Sequence, residues 1–358
     1  MVREETSAQT TRQHLLANLE RRNIPALDGL RGAAALSVVA FHGWSQHFPG
    51  RMAVQVFFLI SGLLITWLLL QEEERSGWIN RKAFYFRRAF RLFPALFILL
   101  AWEGLTDFPH VPKSGLIAAA FYYGNYHVIC GGELLGIAQT WSLAVEEHFY
   151  LIWPQIFVLV RNRRLLTYAC FTIALIEFVW RIVSDNRVGY FYATLATETS
   201  SSAVLFGCGL ALVLWYQPAK LPAFTLRPLV GAFSLVVVLL LGQLPERPQL
   251  LWGVPAAIPF AAIVVLQAVT YEWRILENSI ARFLGRISYG VYLWGFVAKA
   301  VINWFGHDVK HTLLFAIAIA IGTISHYLIE RPAQSLARRW LASAPIPATG
   351  ALLLPRSG

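Results

Sequence analysis

Ten stretches of mostly apolar residues run through this chain, each close to the length that an α-helix needs to cross the hydrocarbon core of a bilayer, about 20 residues. They lie at roughly 27–46, 53–71, 90–107, 140–160, 165–184, 199–216, 228–244, 251–270, 286–305 and 312–330. Such a pattern leaves little choice of fold. In lipid every backbone N–H and C=O must find its partner inside the protein, and helices satisfy that demand segment by segment. Composition agrees: 57% of the 358 residues are hydrophobic and 14% are charged, whereas a soluble domain carries about a quarter charged residues. The reading is an all-α, polytopic membrane protein with about ten transmembrane helices.

Charge sets the expected orientation. Thirty Lys+Arg against twenty Asp+Glu give a formal charge of +10, which in a membrane protein is read as topology and not as nucleic-acid binding. With both termini in the cytoplasm, the segments 72–91, 161–164, 217–227, 271–285 and 331–358 all carry Lys or Arg and come out cytoplasmic. Residues 114–129 are moderately apolar but interrupted by Tyr122, Asn125 and His127. They read as an outer loop or re-entrant piece; the alternative, an eleventh span, would reverse every later loop. The expected organisation is a cytoplasmic tail over 1–26, a membrane domain over 27–332 and a cytoplasmic tail over 333–358. The first 26 residues are polar and contain no apolar core of a cleavable signal peptide. Cys130, Cys170 and Cys208 are too few and too scattered for a disulfide framework or a zinc site. No HExxH, CxxC, Walker or GxGxxG pattern occurs, so no metal or nucleotide-hydrolysis site is implied.

Function is sought where ionisable residues interrupt the apolar stretches, because such a group costs about 2.5–3.5 kcal/mol at a bilayer centre. The first stretch holds Asp28, Arg31 and His42. Arg31 and His42 lie three helical turns apart, on nearly one face and separated by a rise of about 16 Å; they suit the two ends of one long ligand. The fourth stretch enters from outside through Thr140, Trp141 and Ser142 and then carries Glu146, Glu147 and His148. That depth matches His42, so a His–Glu pair is expected, orienting the imidazole and stabilising its charged form. On the cytoplasmic side Arg87, Arg88 and Arg91 form an RRxxR cluster before Pro94. Arg88 and Arg91 are spaced to face one phosphate, and composition alone favours lipid-headgroup anchoring for them. Glu177 and Arg181, and His326 and Glu330, stand at i,i+4 spacing, where mutual neutralisation is expected.

These residues fall in an ordered series: IPALDGLRGAAALSVVAFH (24–42), VFFLISGLLIT (56–66), FRRAFRLFP (86–94), QTWSLAVEEHFYLIWP (139–154), LGRISYGVYLW (284–294) and YLIERP (327–332). The series resembles the membrane acyltransferase-3 family, bacterial O-acyltransferases that modify sugars, lipopolysaccharide, peptidoglycan and glycosylated metabolites. The resemblance implies a ten-helix membrane domain in the bacterial cytoplasmic membrane. It matches the family's Arg-x10-His motif to Arg31 and His42, its RxxR motif to Arg88 and Arg91, and its WSLxxE glutamate to Glu146. One position departs: Gly295 stands where many relatives carry histidine after YLW, so a role of that side chain is not expected here, and His326 is the candidate to take it over. No part of the sequence is expected to form the soluble esterase-like domain fused to some relatives, so transfer is expected to be completed by the membrane domain or by a separate extracytoplasmic partner.

The resemblance implies O-acyl transfer, most simply acetyl, from acyl-CoA to a hydroxyl of a carbohydrate-containing acceptor, with acyl-CoA as donor substrate and no tightly bound cofactor. Arg31, Arg88 and Arg91 would hold the CoA phosphates. His42 would act as general base or carry the acyl group, and Glu146 would orient it. Asp28, Glu147, Ser142, Tyr292, His326 and Glu330 are possible supporting residues. The outer segment 108–139, with Tyr122, Tyr123 and Tyr126, is either an acceptor surface or an interfacial anchor. The rival reading is a proton-coupled carrier or flippase for a polar or lipid-linked solute, although no internal repeat supports it.

Overall fold

The structure is a computed structural model, and it describes residues 2–21, 24–108, 110–271, 273–305 and 311–343. Among the described residues all regular structure is helical. The chain runs through α1 (Val2–Glu20), α2 (Pro25–Gly43), α3 (Gly50–Ser76), α4 (Arg81–Thr106), α5 (Lys113–Ala120), α6 (Gly124–Ile129), α7 (Thr140–Leu159) and α8 (Arg163–Arg187). It continues with the short α9 (Tyr190–Leu195) and α10 (Thr197–Ser200), then α11 (Ser202–Tyr216) and α12 (Pro228–Leu241). The last three are α13 (Glu246–Thr270), α14 (Ser279–Phe305) and α15 (Leu313–Ala342). Residues 344–358 of the expected C-terminal tail lie outside the described residues.

A helix lies over each of the ten apolar segments. By length and composition five of them, α3, α4, α8, α13 and α15, are able to cross a membrane; a sixth is obtained if Thr10–Glu20 and α2, bent by 74°, count as one span. The others fall short for physical reasons. α11 and α12 are only 15 and 14 residues long, and α7 is diluted by Glu146, Glu147 and His148. Residues 114–129 form no span of their own: α5 and α6 have 8 and 6 residues, and the chain breaks between them at Tyr122, whose φ is 55°. The 1–26 segment, read as a polar tail, contains α1. Leu15 and Leu19 of α1 are buried, and Asn18 donates to the Val269 carbonyl at 2.7 Å.

Local signals set the helix ends. Pro25 opens α2, where its missing N–H costs nothing. Asn80 and Asn162 cap α4 and α8 by accepting from Ala83 N and Leu165 N, at 3.0 and 3.1 Å. Gly77, with φ at 72°, stops α3 in the left-handed conformation. Between helices, small residues set the spacing, because lipid supplies no hydrophobic drive and backbones must approach closely to pack. α3 and α11 meet at a reciprocal glycine contact. A Cβ on Gly62 would lie 2.0 Å from the Val204 carbonyl oxygen, and one on Gly207 would lie 2.2 Å from that of Leu59. α2 and α14 meet likewise, with a Cβ on Gly285 falling 2.1 Å from the Asp28 carbonyl oxygen. These two seams fix α2, α3 and α14 around the interior in which the ionisable residues sit.

At the end of the bundle where α2 finishes, α6, α9 and α10 form a cap. Asn125 donates to the Leu195 carbonyl and to Thr197 Oγ1, at 3.2 and 3.1 Å. His148 Nδ1 lies 2.8 Å from Thr197 Oγ1, and Tyr126 and Tyr192 each donate to Glu198 at 2.5 Å. Burial pushes the Glu198 carboxyl up, but the two phenols outweigh it and hold the group below its ordinary value.

Two predictions follow from this packing. Gly62→Val forces a side chain into the Val204 backbone, and such overpacking costs about 1–3 kcal/mol; Gly104→Ala, whose Cβ would meet nothing nearer than 3.6 Å, serves as the neutral control in thermal unfolding of the detergent-solubilised protein. Because the folded value of Glu198 is depressed, its staple stabilises the cap above the unfolded carboxylate pKa, about 4, and is lost as pH falls through the folded value. Glu198→Gln is therefore expected to speed hydrogen exchange of α9 and α10 at pH 7, with the difference shrinking below about pH 4.

Candidate functional site

The charged residues of the interior sort into two groups at opposite ends of α2, separated by a narrow waist. At the Arg31 end a cavity of about 730 Å³ opens between α2, α3, α4, α7 and α14, and its wall contains Arg31, Arg75, Arg87, Arg88 and Arg91. Arg88 is held fast: its Nε donates to Glu147 at 3.1 Å, an Nη lies 3.7 Å from Glu146, and the guanidinium stacks 3.1 Å above the Tyr150 ring. Arg87 pairs loosely with Glu72 at 3.7 Å. Arg31 and Arg91, by contrast, have no hydrogen-bond or ion-pair partner among the described residues, although both line the same cavity. Two unpaired guanidinium groups in one cavity repel each other, and a phosphate placed between them would relieve that repulsion while accepting charge-assisted hydrogen bonds. Asp28 borders a side pocket of about 540 Å³ that shares Arg31 and Arg75 with this cavity.

The waist, about 50 Å³, shares Arg31, Ser61, Glu146 and Tyr289 with the cavity and adds Ser142 and Tyr292. Glu146 accepts from Ser61 Oγ at 2.5 Å and from the Tyr150 hydroxyl. Ser142 and Tyr292 are joined hydroxyl to hydroxyl, and the Tyr292 hydroxyl lies 3.3 Å from the Gln139 carbonyl oxygen. Beyond Val54 and Tyr292, which border both spaces, lies a third chamber of about 180 Å³. Its wall includes His42, Arg51, Gln55, Gln139, Trp141 and Phe296. The His42 ring packs against Phe41 and Phe296, with centroids 4.9 and 4.7 Å away, and has no hydrogen-bond partner among the described residues.

One sequence expectation is corrected here. Glu146 does not orient His42. It faces the waist and the arginine cavity and is engaged by Ser61, Tyr150 and Arg88. Position along α7 alone did not place it with His42: Glu146 borders the same spaces as Arg31, where Ser142, Glu146 and Tyr150 form one i,i+4 stripe and Arg88 sits far enough along α4 to meet it. The two charges acting on His42 are both positive, Lys299 and Arg51. His326 does not substitute for the missing side chain at 295. Its Nδ1 lies 3.3 Å from Glu330, which also accepts from Ser325 at 3.0 Å, and neither His326 nor Glu330 lines the three spaces. Gly295 itself lies beside Val39, one turn below His42, where a Cβ would come within 3.2 Å of a Val39 methyl.

Glu177 and Arg181 are likewise more than a mutual pair. Arg181 is 2% exposed and donates to the carbonyls of Thr199 and Leu250 and to Ser200 Oγ, at 2.9, 2.7 and 3.0 Å, while Glu177 accepts from Ser201 at 2.6 Å. The sequence reasoning missed Ser61, Tyr150, Arg51 and Gln139. The i,i+4 step from Glu146 to Tyr150 was the one local signal available; the rest are brought in by tertiary packing.

Residues 24–331 match the family model of the acyltransferase-3 family, described as an acyltransferase domain. Among curated proteins, the "Peptidoglycan O-acetyltransferase" of Listeria monocytogenes is 28% identical over 356 residues, covering 87% of this chain and 56% of its own length. A Bacillus subtilis protein provisionally named a peptidoglycan O-acetyltransferase is 30% identical over 358 residues, covering 88% of this chain and 55% of its own. A Staphylococcus aureus (strain COL) protein, provisionally named an O-acetyltransferase, is 29% identical over 351 residues, with 87% and 57% covered. The chain thus spans little more than half the length of these relatives. No solved structure matches it. With the family model covering most of the chain and the arginines and His42 ranged along one interior, the protein belongs to the acyltransferase-3 family.

Proposed function

We propose that this chain is a membrane O-acetyltransferase of the bacterial cytoplasmic membrane, with ten spans and both termini in the cytoplasm. It takes acetyl groups from cytosolic acetyl-CoA and delivers them to a hydroxyl of a cell-envelope carbohydrate. The observation that carries this reading is the series of three spaces along α2, with unpaired Arg31 and Arg91 at one end, His42 at the other and a waist between them. Family membership favours it over a solute carrier, and the names of the relatives make peptidoglycan the leading acceptor.

In this reading Arg31 and Arg91 bind the donor's phosphates, while Arg88, already committed to Glu146, Glu147 and Tyr150, holds α4 against α7 so that Arg91 faces the cavity. The pantetheine arm passes Ser61, Ser142 and Tyr292 and brings the thioester towards His42. A ring nitrogen of His42 takes the proton of the acceptor hydroxyl as its oxygen attacks the thioester carbonyl. The C–S bond then breaks and the thiol of CoA leaves, carrying the proton. An acyl-imidazole on His42 is the alternative route: a ring nitrogen attacks the thioester carbonyl, the C–S bond breaks and the thiol of CoA leaves with the ring's proton, and the acceptor oxygen then attacks the acyl carbon, breaking the C–N bond and returning its proton to the ring. Glu146 supports the waist and the arginine cluster.

Calorimetric titration of the nanodisc-embedded chain with acetyl-CoA tests the donor site. Hydrogen bonds to charged groups contribute about 1.5–3 kcal/mol each, so Arg31→Ala and Arg91→Ala are each expected to weaken binding about tenfold or more; absence of acetyl-CoA binding by folded native protein would overturn the reading. His42→Ala is expected to lower acetyl transfer by about 10²–10⁴-fold while leaving acetyl-CoA affinity unchanged. Mass spectrometry of protein incubated with donor alone separates the two routes, since acetyl retained on the native chain and absent from His42→Ala indicates the covalent one.

A further inference from the structure

We infer that the chamber beside His42 is built for an anionic acceptor, one that presents its hydroxyl to His42 and sets a carboxylate or phosphate of the same molecule against Arg51. This rests on the O-acyl-transfer reading for the role of the chamber. The charge pattern, however, is independent of that reading.

Two guanidinium groups, those of Arg51 and Arg181, border the chamber, and no Asp or Glu does so among the described residues. Lys299 adds a third positive charge near His42. Arg181 donates to three neutral oxygens, which fix its position, and is partly offset by Glu177, one turn earlier on α8, whose carboxylate is hydrogen-bonded to Ser201 and lies outside the chamber wall. Arg51 stands in the first turn of α3 and is 19% exposed at its side chain. It donates to Gln249 Oε1 at 2.6 Å, lies 4.7 Å above the Phe41 ring and pairs at 3.1 Å with Glu246. Glu246 is 57% exposed and outside the chamber wall, so water screens this pair and an incoming anion competes with it readily. The start of α3 has neither a side-chain cap nor an acidic residue in its first turn, and its dipole adds to the positive potential.

Gln139 supplies the second half of the argument. It is 2% exposed and borders the chamber. Its Nε2 is anchored to the Leu293 carbonyl at 2.6 Å, while its Oε1 is buried without a hydrogen-bond partner. A buried acceptor atom of this kind is costly unless a donor reaches it, and a sugar hydroxyl is such a donor. Trp141 and Phe296 furnish apolar walls against which a pyranose face packs. Hydroxyl acceptor, apolar wall and an excess of positive charge with no carboxylate in the chamber wall together describe an acidic or phosphorylated saccharide better than a neutral one.

The test uses the full chain in nanodiscs and measures saccharide binding by calorimetry without donor. Three probes are compared: a chitotriose-type neutral oligosaccharide, the same oligosaccharide carrying a carboxylate ether, and the same carrying a phosphate. The expected result is that the charged probes bind roughly tenfold tighter than the neutral one. The advantage is expected to shrink in high salt, to disappear in Arg51→Gln and to be largely kept in Arg51→Lys. Preference for the carboxylate probe assigns the charge to the sugar itself, and preference for the phosphate probe assigns it to a phosphorylated carrier; either supports the inference. Equal binding of neutral and charged probes, no binding of any probe, or a preference that survives in Arg51→Gln overturns it. Should Arg51→Gln fail to fold, the preference of the native chain and its salt dependence decide the matter. Because no donor is present, a negative result here leaves the acetyl-CoA titration standing, and failure of that titration leaves this one interpretable.

Discussion

The interior depends on how one largely buried charge is accommodated. Arg88 lies two turns into α4, and a guanidinium in that position is tolerable only if it is paired and hydrogen-bonded. Glu147 takes its Nε, Glu146 lies beside an Nη, and Tyr150 lends the face of its ring. All three partners come from α7, so the pairing also joins α4 to α7 and fixes the rotation of both. That rotation turns Arg91, three residues on, toward Arg31 in the cavity, and it turns Ser142 toward Tyr292. Removing one partner would leave an uncompensated charge, which costs far more than the pair contributes. The cluster is therefore best understood as a positional device: its net stabilisation is small, and its value lies in where it puts the residues beside it.

Much of this was legible in the residues themselves. The ten helical segments followed from hydropathy, and the candidate residues Arg31, Arg88, Arg91 and His42, which the fold places along one interior, from the rule that ionisable groups in apolar stretches need a reason. Arg31 and His42 fell on one helix, so their separation could be read without tertiary information. Glu146 shows where such reading stops. It lies with Arg31 and not with His42; which space and which neighbouring helix it faces depends on the packing of α3, α4 and α7, and no spacing within one segment encodes that. Arg51 and Gln139 were invisible for the same reason: each looks like an ordinary loop-proximal polar residue until the fold brings it beside His42. The glycines that set the α3–α11 and α2–α14 seams were present in the sequence, but only the crossings reveal their purpose.

The departure at Gly295 illustrates how a local change is absorbed. Without a side chain there, α14 approaches Val39 closely, and the residue that meets His42 is the next one, Phe296. The imidazole is left in aromatic company with cations nearby and no carboxylate partner. Its basicity is then set by surroundings that include whatever occupies the chamber, so an acidic ligand would itself supply the counter-charge that a neighbouring Glu or Asp provides in many other histidine sites.

The waist at Ser142 and Tyr292 carries a further consequence. A protein that opens deep spaces toward both sides of a bilayer risks becoming a leak, because a continuous file of water would conduct protons and dissipate the membrane potential. Two hydroxyl-bearing side chains locked to each other at the waist narrow the route such a file would take. A flexible substrate arm can displace that contact and then fill the gap it has opened. On the proposed donor path, the same pair of residues would make the passage self-sealing: closed by the protein when empty and by the cargo when in use, so that the energy stored across the membrane would be conserved in both states.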